Sequence, residues 1–107
     1  MASGTIKSNS WKLLGEKTGT SSFTLPSNFS ELLIVINPSA SSIFVPINIP
    51  IADLSGTPKM YRIGYYSTSS YNNGSSINVS TSSAQLAQVY MNGADVTSTT
   101  KCKIYYR

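Results

Sequence analysis

Short runs in which apolar and polar residues alternate recur along the chain, and turn residues separate them. Because successive side chains of an extended strand point to opposite faces, such alternation is typical of strands with one buried face. Clear alternating runs cover residues 43–51 and 59–66, a continuous apolar run covers residues 32–36, and turn signals such as Asn37-Pro38 and Gly93 separate the runs along the chain. The pattern predicts an all-β fold, an antiparallel β-sandwich or jelly roll of about seven to eight short strands.

The predicted strands differ in how they should sit in the sheets. They cover residues 11–14, 22–25, 31–36, 43–51, 59–66, 77–81, 84–91 and 101–107. Run 31–36 is apolar on both faces, which predicts a strand covered on both sides. Run 43–51 carries Pro46 and Pro50, which cannot donate to a ladder, so it should be an edge strand or a bent one. Run 84–91 also fits a helix; we favour a strand with Leu86, Gln88 and Tyr90 on one face.

The alternation also predicts the core and the extent of the domain. The positions expected to be buried are Ile34, Ile36, Ile43, Val45, Ile47, Ile63 and Val79. Residues 67–74 are mostly Ser, Tyr and Asn and should form a loop. We expect one domain over residues 10–107, preceded by a flexible segment or cloning remnant over residues 1–9.

Composition narrows the functional classes. Apolar residues make up 40% of the chain and charged residues only 11%, histidine is absent, and four carboxylates are present. Glycosidases need two carboxylates that face one site, and the four carboxylates here are spread through the sequence. A Ser-His-Asp set needs histidine, which is absent, and no metal-ligand spacing appears. We therefore expect no enzyme, no cofactor, no catalytic residues and no metal site; calcium held by Asp53 or Asp95 is the weak exception.

The cations do not favour a nucleic-acid partner. The net charge is +4, but the cations are scattered, and only Lys101, Lys103 and Arg107 alternate along one strand beside Tyr105. Phosphate tracking needs many cations on one surface. The lone Cys102 shares a strand face with Ile104 and is expected to be a buried apolar residue. No run is long and apolar enough for a membrane span.

Several motifs resemble those of a known protein class. They are Trp11-Lys-Leu-Leu-Gly, Phe23-Thr-Leu-Pro, Ile49-Pro-Ile-Ala-Asp-Leu, Met60-Tyr-Arg-Ile-Gly-Tyr-Tyr-Ser, Gly93-Ala-Asp-Val-Thr-Ser and Ile104-Tyr-Tyr-Arg. Together they resemble the C-terminal domains of tail-fibre and minor structural proteins of phages and prophages of Gram-positive bacteria. The resemblance covers the chain from about Ser10 onward. It implies a β-sandwich at the distal end of a virion tail fibre, usually a homotrimer, that meets the host surface.

Side-chain chemistry suggests where such a domain would bind. Saccharides stack on aromatic rings and hydrogen-bond to uncharged groups, and the segment 65–75 has that composition. Our candidate ligand-binding residues are Arg62, Tyr66, Tyr71, Asn72 and Asn73. The predicted partner is a host cell-surface glycan or wall polymer. The alternative is a decoration or trimerisation module of the virion that binds no ligand.

Overall fold

Two antiparallel sheets form the domain. A computed structural model describes residues 10–67 and 72–107, except for the side chains of residues 40, 64–67 and 72. The strands are β1 (Lys12–Thr18), β2 (Ser22–Thr24), β3 (Glu31–Asn37), β4 (Val45–Pro50), β5 (Lys59–Ser67), β6 (Asn72–Val79), β7 (Ser83–Met91), β8 (Ala94–Asp95) and β9 (Lys101–Tyr106). Short 3-10 turns lie at Pro38–Ala40, Ile51–Asp53 and Thr97–Thr99.

Within the described residues, the sheets have four and five strands. Sheet I has the order β1-β9-β3-β4, and sheet II has the order β2-β7-β6-β5 with β8 paired to β7. This architecture confirms the predicted all-β sandwich. The strand that sequence analysis did not separate is β8, a two-residue strand joined to β7 by the turn at Asn92 and Gly93.

The core lies between the inner faces of the two sheets. On β3 the even-numbered residues Leu32, Ile34 and Ile36 are fully buried, and on β6 Ile77 and Val79 are. From β9, Cys102 and Ile104 join the same cluster. The strand alternation therefore identified the inner face correctly at Ile34, Ile36 and Val79, and Cys102 is buried as expected.

The predicted burial was wrong at one residue, and three other residues are buried only in part. Ile43 is 50% exposed because β4 begins only at Val45, so Ile43 lies outside the sandwich. Val45, Ile47 and Ile63 pack against the core but are only partly buried. They belong to β4 and β5, which are edge strands with a neighbour on one side only among the strands that the structure describes.

Two further expectations concern β4 and β3. The proline-bearing β4 is an edge strand, as predicted, and Pro46 and Pro50 face solvent. The expected cover on both sides of β3 was wrong, because Leu33 and Val35 on its outer face remain partly exposed. The outer face of sheet I therefore carries partly exposed apolar residues, such as Leu33 and Val35, beside polar ones such as Asn48 and Lys103.

Candidate ligand-binding surface

A concave surface lies on the outer face of sheet II, where β5, β6 and β7 run side by side. Arg62 of β5 is opposite Ser76 of β6, which is in turn opposite Gln88 of β7. We call this surface the sheet II concavity; it is lined by Met60, Arg62, Gly74, Ser75, Ser76, Ala87, Gln88 and Tyr90. Its volume is about 480 Å³, within the range of small-molecule sites.

Two local irregularities shape the concavity. Ser76 is paired with Gln88 but Ile77 is paired with Leu86, so Ala87 is an extra residue in β7 and forms a bulge. A bulge bends its strand and increases the local twist. Beside it, Gly74 is opposite Tyr90 and contributes no side chain, which leaves one side of the Tyr90 position open.

Hydrogen bonds hold the β7 side of the concavity in place. The amide Nε2 of Gln88 donates to the hydroxyl oxygen of Tyr90 at 3.2 Å. The hydroxyl of Ser76 donates to the backbone carbonyl of Gln88 at 3.5 Å. Because the Tyr90 oxygen accepts the bond from Gln88, its own proton is left to be donated elsewhere.

The lining combines an aromatic ring, uncharged polar groups and one cation. Tyr90 is half-buried, Met60 is 51% exposed, and Arg62 is exposed. Arg62 is the charged residue among the described residues of the lining. This set has one ring for the C–H face of a sugar, amide and hydroxyl groups for its hydroxyls, and a guanidinium for an acidic substituent.

The five ligand-binding residues predicted from the sequence differ in their position relative to the concavity. Arg62 lies in the concavity. Asn73 adjoins it, but the Asn73 side-chain oxygen accepts a hydrogen bond from the backbone N–H of Asn92 at 2.9 Å and so supports the β7–β8 turn. The backbones of Tyr66 and Asn72 lie in β5 and β6, but their side chains are outside the described part of the chain, as is all of Tyr71.

The expected loop over residues 67–74 was partly wrong. Ser67 ends β5 and Asn72 begins β6, so Asn72, Asn73 and Gly74 are strand residues. Ser67 is opposite Asn72, and Tyr66 is opposite Asn73. Polar composition predicted a loop here, but pairing with the neighbouring strand extends the sheet into this segment.

Sequence analysis missed Gln88 and Tyr90 as members of a surface. A regular strand would place both on the same face as Leu86. The bulge at Ala87 reverses the alternation, so Leu86 is 1% exposed while Gln88 is exposed and the next buried residue is Val89. The apolar spacing Leu86 and Val89, three residues apart, was the sequence signal of this bulge.

None of the described carboxylates lines the concavity. Glu16 and Glu31 belong to sheet I, Asp53 to a 3-10 turn and Asp95 to β8, where Asp95 is opposite Tyr90. Within residues 10–67 and 72–107, no three His, Cys, Asp or Glu side chains come together as a metal-binding group. In the same residues, no helix has the length and apolar character needed to cross a membrane.

Comparisons of this chain with known protein families, curated proteins and solved structures found no match.

Proposed function

We propose that this domain is the head of a phage tail-fibre type protein and that it binds a saccharide of the host cell surface through the sheet II concavity. The supporting observation is that Tyr90, Gln88 and Arg62 line one concave surface on paired strands. Strand pairing holds their backbones in place before a ligand arrives, which lowers the entropy cost of binding. The assignment to a fibre rests on the resemblance of the strand motifs.

Each part of the lining would meet a different part of the sugar. The Tyr90 ring would stack on a C–H patch, and its hydroxyl proton would be donated to a sugar oxygen. The Gln88 amide and the Ser76 hydroxyl would meet neighbouring sugar hydroxyls. Arg62 would pair with a carboxylate or phosphate substituent, so anionic polymers are the preferred class.

Binding at one copy should be weak. Each uncharged hydrogen bond contributes only about 0.5–1.5 kcal/mol net, and an open surface excludes little water. The proposed homotrimer overcomes this by presenting three concavities to one cell surface, because a tethered second site binds at a high effective concentration.

A glycan array of neutral and anionic bacterial saccharides, followed by binding to cell-wall polysaccharide fractions of Gram-positive cells, tests the proposal. We expect selective binding that Tyr90→Ala and Arg62→Gln each reduce at least ~10-fold, a loss of about 1.4 kcal/mol. Tyr105→Ala is the matched control, because Tyr105 is a half-buried tyrosine of sheet I. Binding of an anionic hit should also weaken as salt rises, since Arg62 is exposed.

The array also distinguishes this proposal from the alternative, a virion module that binds no ligand. A parent domain that binds no saccharide and no wall fraction would favour a decoration or trimerisation role. Selective binding that survives both substitutions, but is lost in Tyr105→Ala, would move the site to sheet I.

A further inference from the structure

An apolar cleft lies between the two sheets, at the end of the sandwich where β4 begins and β7 finishes. Its apolar walls come from both sheets and from the segment between β3 and β4, and they are formed by Pro38, Ile43, Val45, Ile63 and Met91. Asn73 and Ser75 of β6 contribute polar side chains, and we call this space the end cleft. Its volume is about 250 Å³, somewhat below the ~300–1,000 Å³ of sites for drug-sized ligands, so it suits a smaller molecule.

The hydroxyl of Ser75 is buried beside the end cleft. Ser75 is 3% exposed and lies opposite Ile63 of β5 and Val89 of β7. It shares the inner face of sheet II with the buried residues Ile77 and Val79, because alternate residues of a strand point the same way. The Ser75 side chain therefore points between the sheets, toward the end cleft and away from the sheet II concavity.

Ser75 differs from the other buried polar residues of the described chain, which are Ser80, Thr97 and Thr100. The hydroxyls of Ser80 and Thr97 each accept a backbone N–H, at 3.1 and 2.8 Å, and the Thr100 hydroxyl donates to a backbone carbonyl at 2.8 Å. Within residues 10–67 and 72–107, the Ser75 hydroxyl makes no hydrogen bond. A buried hydroxyl without a partner costs free energy, and a ligand that accepts its proton recovers that cost.

Asn73 also presents hydrogen-bond donors to the end cleft. Its side-chain oxygen already accepts the backbone N–H of Asn92 at 2.9 Å, so the amide nitrogen is the group that it offers to a ligand. An amide nitrogen only donates, and the Ser75 hydroxyl has a proton to donate. The polar part of a matching ligand should therefore be an acceptor, and a carbonyl oxygen is the simplest one.

The charge distribution around the end cleft favours an uncharged ligand. The described lining contains no charged residue, and the neighbouring segment 64–72 contains none in its sequence. A charged group that left water here would find no opposite charge, and burying an unpaired charge is costly. The ligand should therefore be neutral as well as largely apolar.

Hydrogen bonds hold Ile43 at the rim of the end cleft. The Asn37 amide nitrogen donates to the carbonyl oxygens of Ser41 and Ile43, each at 2.7 Å. The N–H of Ile43 donates to the Ser41 hydroxyl at 3.1 Å. These bonds fix the position of an isoleucine that is 50% exposed, so this apolar wall is in place before a ligand arrives.

The size of the end cleft matches a small ring. A cavity of about 150 Å³ with aliphatic and aromatic walls takes up benzene. The end cleft, at about 250 Å³, has room for a ring of that size with a polar substituent. Ordered water fits it less well, because each water needs about 2–4 polar partners and the walls are mainly apolar.

We propose that the end cleft binds a small, uncharged aliphatic carbonyl compound. The carbon body packs between Val45, Ile63 and Met91, and the carbonyl oxygen accepts a hydrogen bond from the Ser75 hydroxyl. This site lies on the inner side of sheet II, so it does not depend on whether the sheet II concavity binds a saccharide.

Methyl NMR of the whole chain during a titration with cyclohexanone tests the proposal. We expect shifts at the methyl groups of Ile43, Val45, Ile63 and Met91, with a Kd in the millimolar range that suits so small a ligand. Leu13 is the reference for general contact with exposed apolar residues, because it is 57% exposed and lies on sheet I outside the cleft. Cyclohexanecarboxylate carries a charge on the same ring and should leave the cleft methyls unmoved.

A serine substitution tests the role of the buried hydroxyl. Ser75→Ala should weaken cyclohexanone binding roughly 2–10-fold, the effect of one neutral hydrogen bond. Without ligand it should melt at a higher temperature than the parent, because it removes a buried hydroxyl that has no partner. Ser22→Ala is the matched control, since Ser22 is an exposed strand serine of the same sheet, and it should change neither measurement.

Four results would overturn the proposal. They are the absence of shifts at about 50 mM cyclohexanone, equal shifts at Leu13 and the cleft, equal binding of cyclohexanecarboxylate, and unchanged affinity in Ser75→Ala. Saccharide binding is measured separately on the array. A chain that binds saccharides but not cyclohexanone would overturn the end cleft alone, and the reverse result would overturn the proposed function alone.

Discussion

At the scale of single residues, Thr97 completes the hydrogen bonding of β7 on the side away from β6, over a stretch where no described strand pairs with that side. β2 pairs with β7 over Ser83–Gln85, and β8 pairs with it at Tyr90 and Met91. Between these segments, the Thr97 hydroxyl accepts the N–H of Val89 at 2.8 Å, and donates to the Asp95 carboxylate at 2.6 Å. Because Val89 is fully buried, this bond satisfies a donor that water could not reach.

The contact between Thr97 and Asp95 should make the stability of the fold depend on pH. Hydrogen bonds from the Thr97 side chain and backbone hold the pKa of Asp95 below its ordinary value of 3.8. The folded state therefore binds a proton at Asp95 less tightly than the unfolded chain does. The stabilisation that Asp95 provides is fully present above the ordinary pKa and is lost as pH falls through the folded-state pKa. We expect the free energy of unfolding to fall from about pH 5 to about pH 2 in urea titrations. Asp95→Asn should flatten part of this slope; an unchanged slope would contradict the assignment.

Cys102 should be chemically inert in the folded protein. Its side chain is 0% exposed, and burial raises the pKa of the thiol to about 12. The reactive thiolate is therefore almost absent at neutral pH, and a reagent cannot reach the sulfur. A colorimetric thiol reagent at about pH 8 should modify the chain only as fast as it unfolds, and rapidly in denaturant. Fast modification of the native protein would show that this part of the core opens.

At the scale of elements, the β7–β8 hairpin depends on two residues with left-handed backbone angles. Asn92 has a φ of 52° and Gly93 a φ of 81°, the combination of a type I′ turn, whose twist matches the paired strands. The Asn73 amide oxygen adds a bond to the N–H of Asn92. The turn also ends β7 shortly after Gln88 and Tyr90, so it helps to position the β7 side of the concavity.

Replacing Gly93 should therefore cost stability. A Cβ at positive φ is strained, and Gly93→Ala should lower the free energy of unfolding by about 1–2 kcal/mol. Gly56→Ala is the matched control, because a Cβ at Gly56 would meet nothing within 4 Å, and it should be neutral or slightly stabilising. Equal effects of the two substitutions in urea unfolding would show that the turn conformation is not important.

At the scale of the whole molecule, the two sheets divide the surface. Sheet II carries the polar concavity, and the outer face of sheet I carries exposed apolar residues such as Leu13 beside charged residues such as Glu16 and Lys103.

The sequence alone determined the fold class and part of the inner face. The predicted burial of Ile34, Ile36 and Val79 proved correct. Side-chain alternation is a property of the extended backbone itself, so it can be deduced from a few neighbouring residues. The edge position of β4 followed in the same way from Pro46 and Pro50, because proline lacks the N–H that a second neighbouring strand would need.

Only the tertiary structure decided how the surfaces are composed. The concavity brings together Arg62, Ser76 and Gln88 from three strands, and the outer face of sheet I brings together Leu13, Tyr105 and Leu33 from three others. The bulges at Leu14 and Ala87 reverse the alternation within β1 and β7, so they decide which side chains face outward. Strand order and bulges depend on pairing between residues far apart in the sequence, and local alternation carries no information about which distant strand will be the partner.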